Sequence, residues 1–123
     1  MEIQMPKGKR YTMDEVTLCA YAALYDAHDF GGLDKIISLE KNPSQRRSIA
    51  SVTMKIQNIA SMLDEHRVER QSNVSPLTGL TTGKKGRKTD WNRVEICLSL
   101  RKEDFLRKCM QIIETSQNAT HAR

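Results

Sequence analysis

The spacing of apolar residues along the chain predicts a protein built from helices. In several stretches an apolar residue recurs every three or four positions, which is the period of an α-helix. No stretch alternates apolar and polar residues in the way that a half-buried strand does. We therefore predict an all-α fold, a small helical domain with a helix-turn-helix-like core, about five helices and one long basic loop.

The first two helices are marked by their capping and breaking residues. Thr12 and Glu15 form the pattern of a capping box, which predicts a helix over residues 13–27. Gly31 and Gly32 break the helical pattern, and a short apolar stretch then predicts a second helix over residues 33–39.

A third helix follows a turn around Pro43 and carries the clearest apolar stripe of the chain. Ser44 is a suitable N-cap for this helix, which should reach about Glu65. The residues of the stripe are spaced three, four, three and four positions apart and should all face the core: Ile49, Val52, Ile56, Ile59 and Leu63.

The second half of the chain begins with a stretch that lacks helical period. Residues 67–88 contain three glycines and a proline, and we predict a long loop there. A fourth helix should start at Thr89 or Asp90, and a fifth should cover residues 102–115. The predicted organisation is a flexible arm at 1–10, a single helical domain at 11–115 and a loose tail at 116–123.

Charge is distributed unevenly along the chain. The formal net charge is +5, but residues 1–40 carry −3 and residues 41–93 carry +7. A concentration of positive charge in the middle of a chain indicates an anionic partner, of which nucleic acid is the most common.

The third helix offers the first candidate nucleic-acid interface. Two arginines precede its stripe, and three polar residues lie on the side opposite it: Arg46, Arg47, Ser51, Lys55 and Asn58. A helix start with added cations binds phosphates well, and these side chains could contact a groove or the backbone of duplex DNA. An ordinary amphipathic helix with a solvated polar side explains the same pattern equally well. Met54, on this polar side, would instead suit a protein partner.

The second candidate is the end of the long loop. Lys84, Lys85, Arg87 and Lys88 place four positive charges within five residues and could bind phosphates. A solubilising linker is the alternative. Since the loop and the third helix belong to the same basic segment, the two candidates support each other.

No set of residues indicates catalysis. The three histidines and three cysteines are scattered without the spacing of metal ligands, so we expect no enzyme activity, no cofactor and no metal site. The cysteines lie in apolar patterns and should be reduced, buried thiols of a cytoplasmic protein. Trp91 should anchor the core, with base stacking as the less favoured role. No apolar run is long enough to span a membrane.

Several residues of the third helix also occur in a known module. The pattern comprises Arg47-Ser48, Ala50, Val52, Lys55, Asn58-Ile59 and Leu63-Asp64, followed by Gly79-Leu80 and Asp90-Trp91. It resembles the N-terminal helix-turn-helix-like module found ahead of the nuclease domain in bacterial HNH restriction-type endonucleases. The resemblance covers residues 12–98, but the turn before Arg47 differs, Trp91 follows Asp90 directly, and the chain has no HNH motif.

This resemblance implies a recognition module without its nuclease, in a bacterial cell or a phage-infected host. The first hypothesis is a non-enzymatic nucleic-acid-binding protein, with double-stranded DNA favoured over RNA. The alternative is a protein-interaction module, such as a phage-encoded anti-CRISPR or anti-restriction inhibitor of a nucleic-acid-handling effector. A homodimer could form through the apolar side of the last helix, although core packing explains that side as well: Phe105, Leu106, Met110 and Ile113.

Overall fold

The structure confirms the all-α fold. The computed structural model describes residues 10–77 and 85–121, with the side chains of 85–87 and 119–121 excepted. Within these ranges there is no β-strand. The five α-helices are α1 (Met13–Leu24), α2 (Leu33–Ile37), α3 (Ile49–Glu65), α4 (Lys85–Leu98) and α5 (Lys102–His121).

Helix α1 is the centre of the molecule. It packs against α3, α4 and α5, and every residue from Glu15 to Leu24 is buried. Tyr21 lies in its last turn, and the centroid of its ring is 5.2 Å from that of Phe105 and 5.8 Å from that of Phe30, in edge-on contacts. A helix covered on all sides belongs inside a bundle, so the apolar stripe predicted for α1 describes only part of its buried surface.

The start of α1 agrees with the prediction, but its end comes earlier. The capping box is present, because Glu15 N donates to Thr12 Oγ1 while Thr12 N donates to Glu15 Oε1. After Leu24 the carboxylate of Asp26 accepts a hydrogen bond from the main-chain N–H of His28 and starts a 3-10 turn, Ala27–Phe30. This competing side-chain contact ends the helix before Ala27.

The predicted cap of α3 is wrong, because Ser48 and not Ser44 starts the helix. Ser48 Oγ accepts a hydrogen bond from Ser51 N at 3.0 Å. Ser44 is held elsewhere, since its N–H and its hydroxyl both donate to Asn42 Oδ1 and it lies within a 3-10 turn that begins at Pro43. Arg46 and Arg47 therefore precede α3 and are not part of it.

The two candidate caps can be separated by measurement. We expect Ser48→Ala to lower the free energy of unfolding by about 1 kcal/mol, because an N-cap hydrogen bond is lost. Ser44→Ala is the matched control and should change stability by less than about 0.5 kcal/mol, as an exposed surface substitution does. Urea unfolding followed by circular dichroism measures both values, and equal losses would contradict the assignment.

The apolar stripe of α3 is buried except at its first residue. Val52, Ile56, Ile59 and Leu63 lie in the core, whereas Ile49 is 58% exposed, which corrects the prediction for that residue. Helical period identifies the side of a helix that is apolar, but it does not show where along the helix the neighbouring elements begin to cover it.

The first part of the predicted loop is held firmly against the helices. Arg70 donates to both carboxylate oxygens of Asp64 at 2.9 and 3.1 Å, and this hydrogen bonding lowers the pKa of Asp64. The hydroxyl of Ser72 donates to Ala23 O, and Gln71 N donates to Leu24 O. The segment therefore returns from the end of α3 to the end of α1.

The last two helices are longer than predicted. Helix α4 begins at Lys85, so residues 85–88 are helical and the predicted loop ends before them, while Thr78 to Lys84 lie outside the described residues. Helix α5 continues to His121, beyond the predicted end at Thr115. The predicted burial of all three cysteines is confirmed. Among the described helices, none is both long and apolar enough to cross a membrane.

Trp91 connects α4 with the end of α3. It is half-buried and packs against the core, as predicted. Its ring also stacks on the ring of His66, the C-cap residue of α3, with centroids 3.7 Å apart and an interplanar angle of 8°.

Candidate functional site

The residue before the N-cap of α3 meets a carboxylate from α1. Arg47 binds Glu15 through two hydrogen bonds, Nε to Oε2 at 3.0 Å and Nη2 to Oε1 at 3.1 Å. The side chains are 12% and 6% exposed, so the ion pair is buried. The guanidinium also lies 3.7 Å from the ring centroid of Tyr11, and Nη2 donates to Arg10 O. This two-point geometry and the stacking are typical of a structural arginine.

A second buried ion pair connects α3 with α4. Lys55 Nζ lies 2.7 Å from Asp90 Oδ2, and the two side chains are 18% and 10% exposed. The same ammonium group lies 4.7 Å from the Tyr11 ring centroid, and the Tyr11 hydroxyl is 2.9 Å from Ser51 Oγ. Burial raises the pKa of Tyr11, so its hydroxyl remains neutral under physiological conditions.

These two ion pairs and the tyrosine between them form one central ion-pair cluster: Tyr11, Glu15, Arg47, Ser51, Lys55 and Asp90. Each cation of the cluster is balanced by a carboxylate. Tyr11 and Arg47 lie just before α1 and α3, and the other four residues lie within α1, α3 and α4, so the cluster joins three helices.

The other predicted site residues have different surroundings. Arg46 is exposed, and its Nε donates to Glu40 O at 2.7 Å. Asn58 is half-buried on α3, and Lys88 is exposed on α4. Lys85 and Arg87 occupy helical positions in the first turn of α4, and Lys84 lies outside the described residues. The structure therefore brings Arg47, Ser51 and Lys55 together in one cluster and leaves Arg46 apart from them.

Apolar residues are also exposed. Met54 is 56% exposed on the polar side of α3, as predicted. On α5, Phe105 and Ile113 are buried in the core, whereas Met110 is 46% exposed and Leu106 is half-buried. A homodimer through α5 would therefore rest on the latter two residues.

The partners in the central ion-pair cluster were not identified as site residues from the sequence. The sequence indicated Glu15 as a capping residue, Asp90 as a helix start and part of the family-like pattern, and Tyr11 by no pattern. The sequence nevertheless contained a signal for this cluster. Three of its residues, Arg47, Lys55 and Asp90, belong to the pattern that resembles the HNH-associated module. Their ion pairs join the start of α3 to α1 and the middle of α3 to α4.

An open cleft lies on another side of α3. It has a volume of about 500 Å³ and runs between the end of α1, the start of α2, the middle of α3 and the segment 71–75. Ala22 and Ile56 form a buried apolar floor, and Tyr25, Leu33 and Val74 form half-buried walls. Its volume is within the range of clefts that bind organic ligands or short peptide segments.

Among the described residues, no group of three or more His, Cys, Asp or Glu side chains could hold a metal ion. Burial raises the pKa of all three thiols, that of Cys109 to about 12, so these cysteines are not reactive nucleophiles.

Comparison of the chain with protein-family models, with curated proteins and with solved structures finds no match. The resemblance to the module of the HNH endonucleases therefore stays a prediction from the residue pattern.

Proposed function

We propose that the chain is a non-enzymatic nucleic-acid-binding protein, with double-stranded DNA favoured, and that it binds phosphates through the first turn of α4. The observation that carries this proposal is the position of α4, which begins at Lys85. Its first turn therefore contains Lys85, Arg87 and Lys88 and no acidic residue. The N-terminal end of a helix carries a partial positive charge, and the cationic side chains in this turn add to it. The two positive charges repel each other, and a bound anion stabilises both.

The ion pairs of the central cluster support this location. Arg47 and Lys55, the cations that the sequence favoured for a groove, are balanced by Glu15 and Asp90. The carboxylate of Asp90, which follows the basic turn, is engaged by Lys55 and is not available to neutralise that turn. The densest run of cations in the segment 41–93 is therefore the one from Lys84 to Lys88, before and within the first turn of α4.

The connection between α2 and α3 argues against α3 as the reading helix. It extends from Ser38 to Ser48 and contains a 3-10 turn, whereas DNA-reading helix-turn-helix motifs use a turn of about three or four residues. Tyr11 and α4 also cover the part of α3 that carries Ser51 and Lys55. Binding through α4 would use phosphate contacts, which attract nucleic acid without selecting a base sequence.

The experiment is a fluorescence-anisotropy titration with labelled duplex DNA, single-stranded DNA and RNA at several salt concentrations. We expect duplex to bind most tightly, with a log affinity that falls by about 0.9 per log unit of salt for each phosphate contact. Arg87→Gln/Lys88→Gln should reduce that slope by about 1.8 if both residues contact phosphate.

The matched control is Arg107→Gln/Lys108→Gln, which removes the same charge from exposed positions on α5. It should leave the slope unchanged. Absence of binding to any nucleic acid at low salt, or an equal loss in the two double variants, would refute the proposal.

A protein-interaction module is the second candidate function, for example an inhibitor of a nucleic-acid-handling effector. Exposure of Ile49 and Met54 on α3 favours it, because binding surfaces for proteins are commonly apolar. Co-purification of the chain with such an effector, together with an absence of binding to free duplex, would support this candidate over the first.

A further inference from the structure

The cleft beside α3 differs in charge from the basic turn of α4. The described residues that line it include no lysine or arginine, and its carboxylate is that of Asp26. The main-chain N–H of His28, and then the His28 side chain, hold the pKa of Asp26 below its usual range. Two cations lie close to the cleft without being part of its lining. Lys102 lies over the Tyr25 ring, and Arg70, which donates to Ser72 Oγ and Val74 O, is paired with Asp64. The ring of His28, which also lines the cleft, lies with Nδ1 3.1 Å from Asp26 Oδ1, and the Asp26 side chain remains 60% exposed. A lining with a carboxylate and no lysine or arginine repels phosphate and attracts a basic group.

Apolar surface continues from the cleft onto the exposed part of α3. Ala50 and Met54 each precede a lining residue by three positions, Thr53 and Gln57 respectively, and residues at this spacing are neighbours on a helix surface. Ala50 and Met54 are both exposed. An apolar ligand in the cleft could therefore extend beyond it along α3, which suits an elongated partner better than a compact one.

The opposite wall offers main-chain hydrogen-bonding groups. The segment 71–75 is fixed at Gln71, whose N–H donates to Leu24 O, and at Val74, whose carbonyl accepts from Arg70 Nη1. Within the described part of the chain, the main-chain groups of Asn73 and Ser75 form no hydrogen bond. Both residues are exposed and line the cleft, so they can pair with the main chain of an added segment.

We propose that this cleft binds a linear peptide segment of a partner protein, with apolar side chains over Ile56 and Val74 and a lysine or arginine beside Asp26. The apolar floor supplies the affinity, the carboxylate selects the basic residue, and the main chain of Asn73 and Ser75 orients the segment. This binding is independent of the nucleic-acid contacts proposed for α4, because the cleft and α4 share no residue.

The test is selection of linear peptides from a phage-displayed random library on the full chain. Two variants test whether the selected peptides bind in the cleft. Thr53→Arg fills the cleft and adds a repelling charge, whereas Asp26→Asn removes the negative charge and keeps a side-chain oxygen for the hydrogen bond from His28 N. Asp14→Asn, which removes an exposed carboxylate from the other end of α1, is the matched control.

We expect the selected peptides to combine apolar residues with a lysine or arginine. The affinity of a labelled selected peptide should fall about fivefold with Asp26→Asn, as for loss of a partly exposed ion pair, and should not change with Asp14→Asn. Thr53→Arg should abolish binding while the circular dichroism spectrum stays native. If Thr53→Arg does not fold, the comparison of Asp26→Asn with Asp14→Asn still tests the site.

Three results would overturn the proposal. They are the absence of any enriched peptide, enriched peptides without a basic residue whose affinity does not respond to Asp26→Asn, and displacement of the peptide by unlabelled duplex DNA. The last result would show that nucleic acid occupies the cleft.

Discussion

Replacement of Lys55 with methionine is expected to lower the free energy of unfolding by about 3–5 kcal/mol, which is the usual cost of leaving a buried charge without its partner. Lys55 Nζ lies 2.7 Å from Asp90 Oδ2, and the Asp90 side chain is only 10% exposed. Methionine retains the apolar length of the side chain but cannot donate to the carboxylate. Urea unfolding at neutral pH, followed by circular dichroism, measures the difference.

A double variant distinguishes loss of the ion pair from loss of packing. Lys55→Met/Asp90→Leu should be much more stable than Lys55→Met alone, because no unpaired charge is left in the interior. Lys108→Met, at an exposed position of α5, is the matched control and should change stability by less than about 0.5 kcal/mol. Additive losses in the double variant would show that the two side chains do not stabilise each other.

Raising the pH above about 8.5 is expected to destabilise the chain steeply. Burial raises the pKa of Cys19, Cys97 and Cys109, so the folded chain keeps three protons that the unfolded chain releases near the ordinary thiol pKa of about 8.5. Because the unfolded state then binds fewer protons, stability is complete below that pH and decreases as the pH rises. Each thiol that stays protonated in the folded chain lowers the free energy of unfolding by up to about 1.4 kcal/mol for each pH unit.

The pH dependence can be measured by urea unfolding between pH 7 and pH 10 with a reductant present. Cys109→Ala should make the slope shallower, because one of the three thiols no longer titrates. Tyr21 adds to the loss only at higher pH, since burial and its hydrogen bond to Asp29 raise a pKa that is ordinarily near 10. A slope that is the same with and without Cys109 would contradict this explanation.

Much of the fold could be predicted from local sequence patterns, and the wrong predictions also concern local features. The capping box at Thr12 and the stripe from Val52 to Leu63 depend on residues within one helix, and both agree with the structure. The N-cap of α3 could not be predicted from the sequence, because Ser44 and Ser48 are both serines and equally suitable for that position. Asn42 decides between them by binding Ser44, and the sequence does not show which of several short-range hydrogen bonds forms.

The surroundings of the candidate site residues depend on contacts between distant parts of the chain. Helical period places Arg47 and Lys55 away from the apolar stripe, but it does not distinguish a side chain in solvent from one that meets a buried carboxylate. Their partners, Glu15 and Asp90, lie 32 and 35 residues away in the sequence. Only the tertiary fold brings them together, so the sequence indicated which residues matter and not what they contact.

The stacking of His66 on Trp91 provides the protein with an internal spectroscopic reporter. Trp91 is the single tryptophan of the chain, and its indole lies 3.7 Å from the imidazole at the end of α3. Tryptophan fluorescence, excited selectively from that of the three tyrosines, therefore reports on one known contact between α3 and α4. Any ligand that shifts α4 relative to α3 changes that emission, so the response of the protein can be followed without a label.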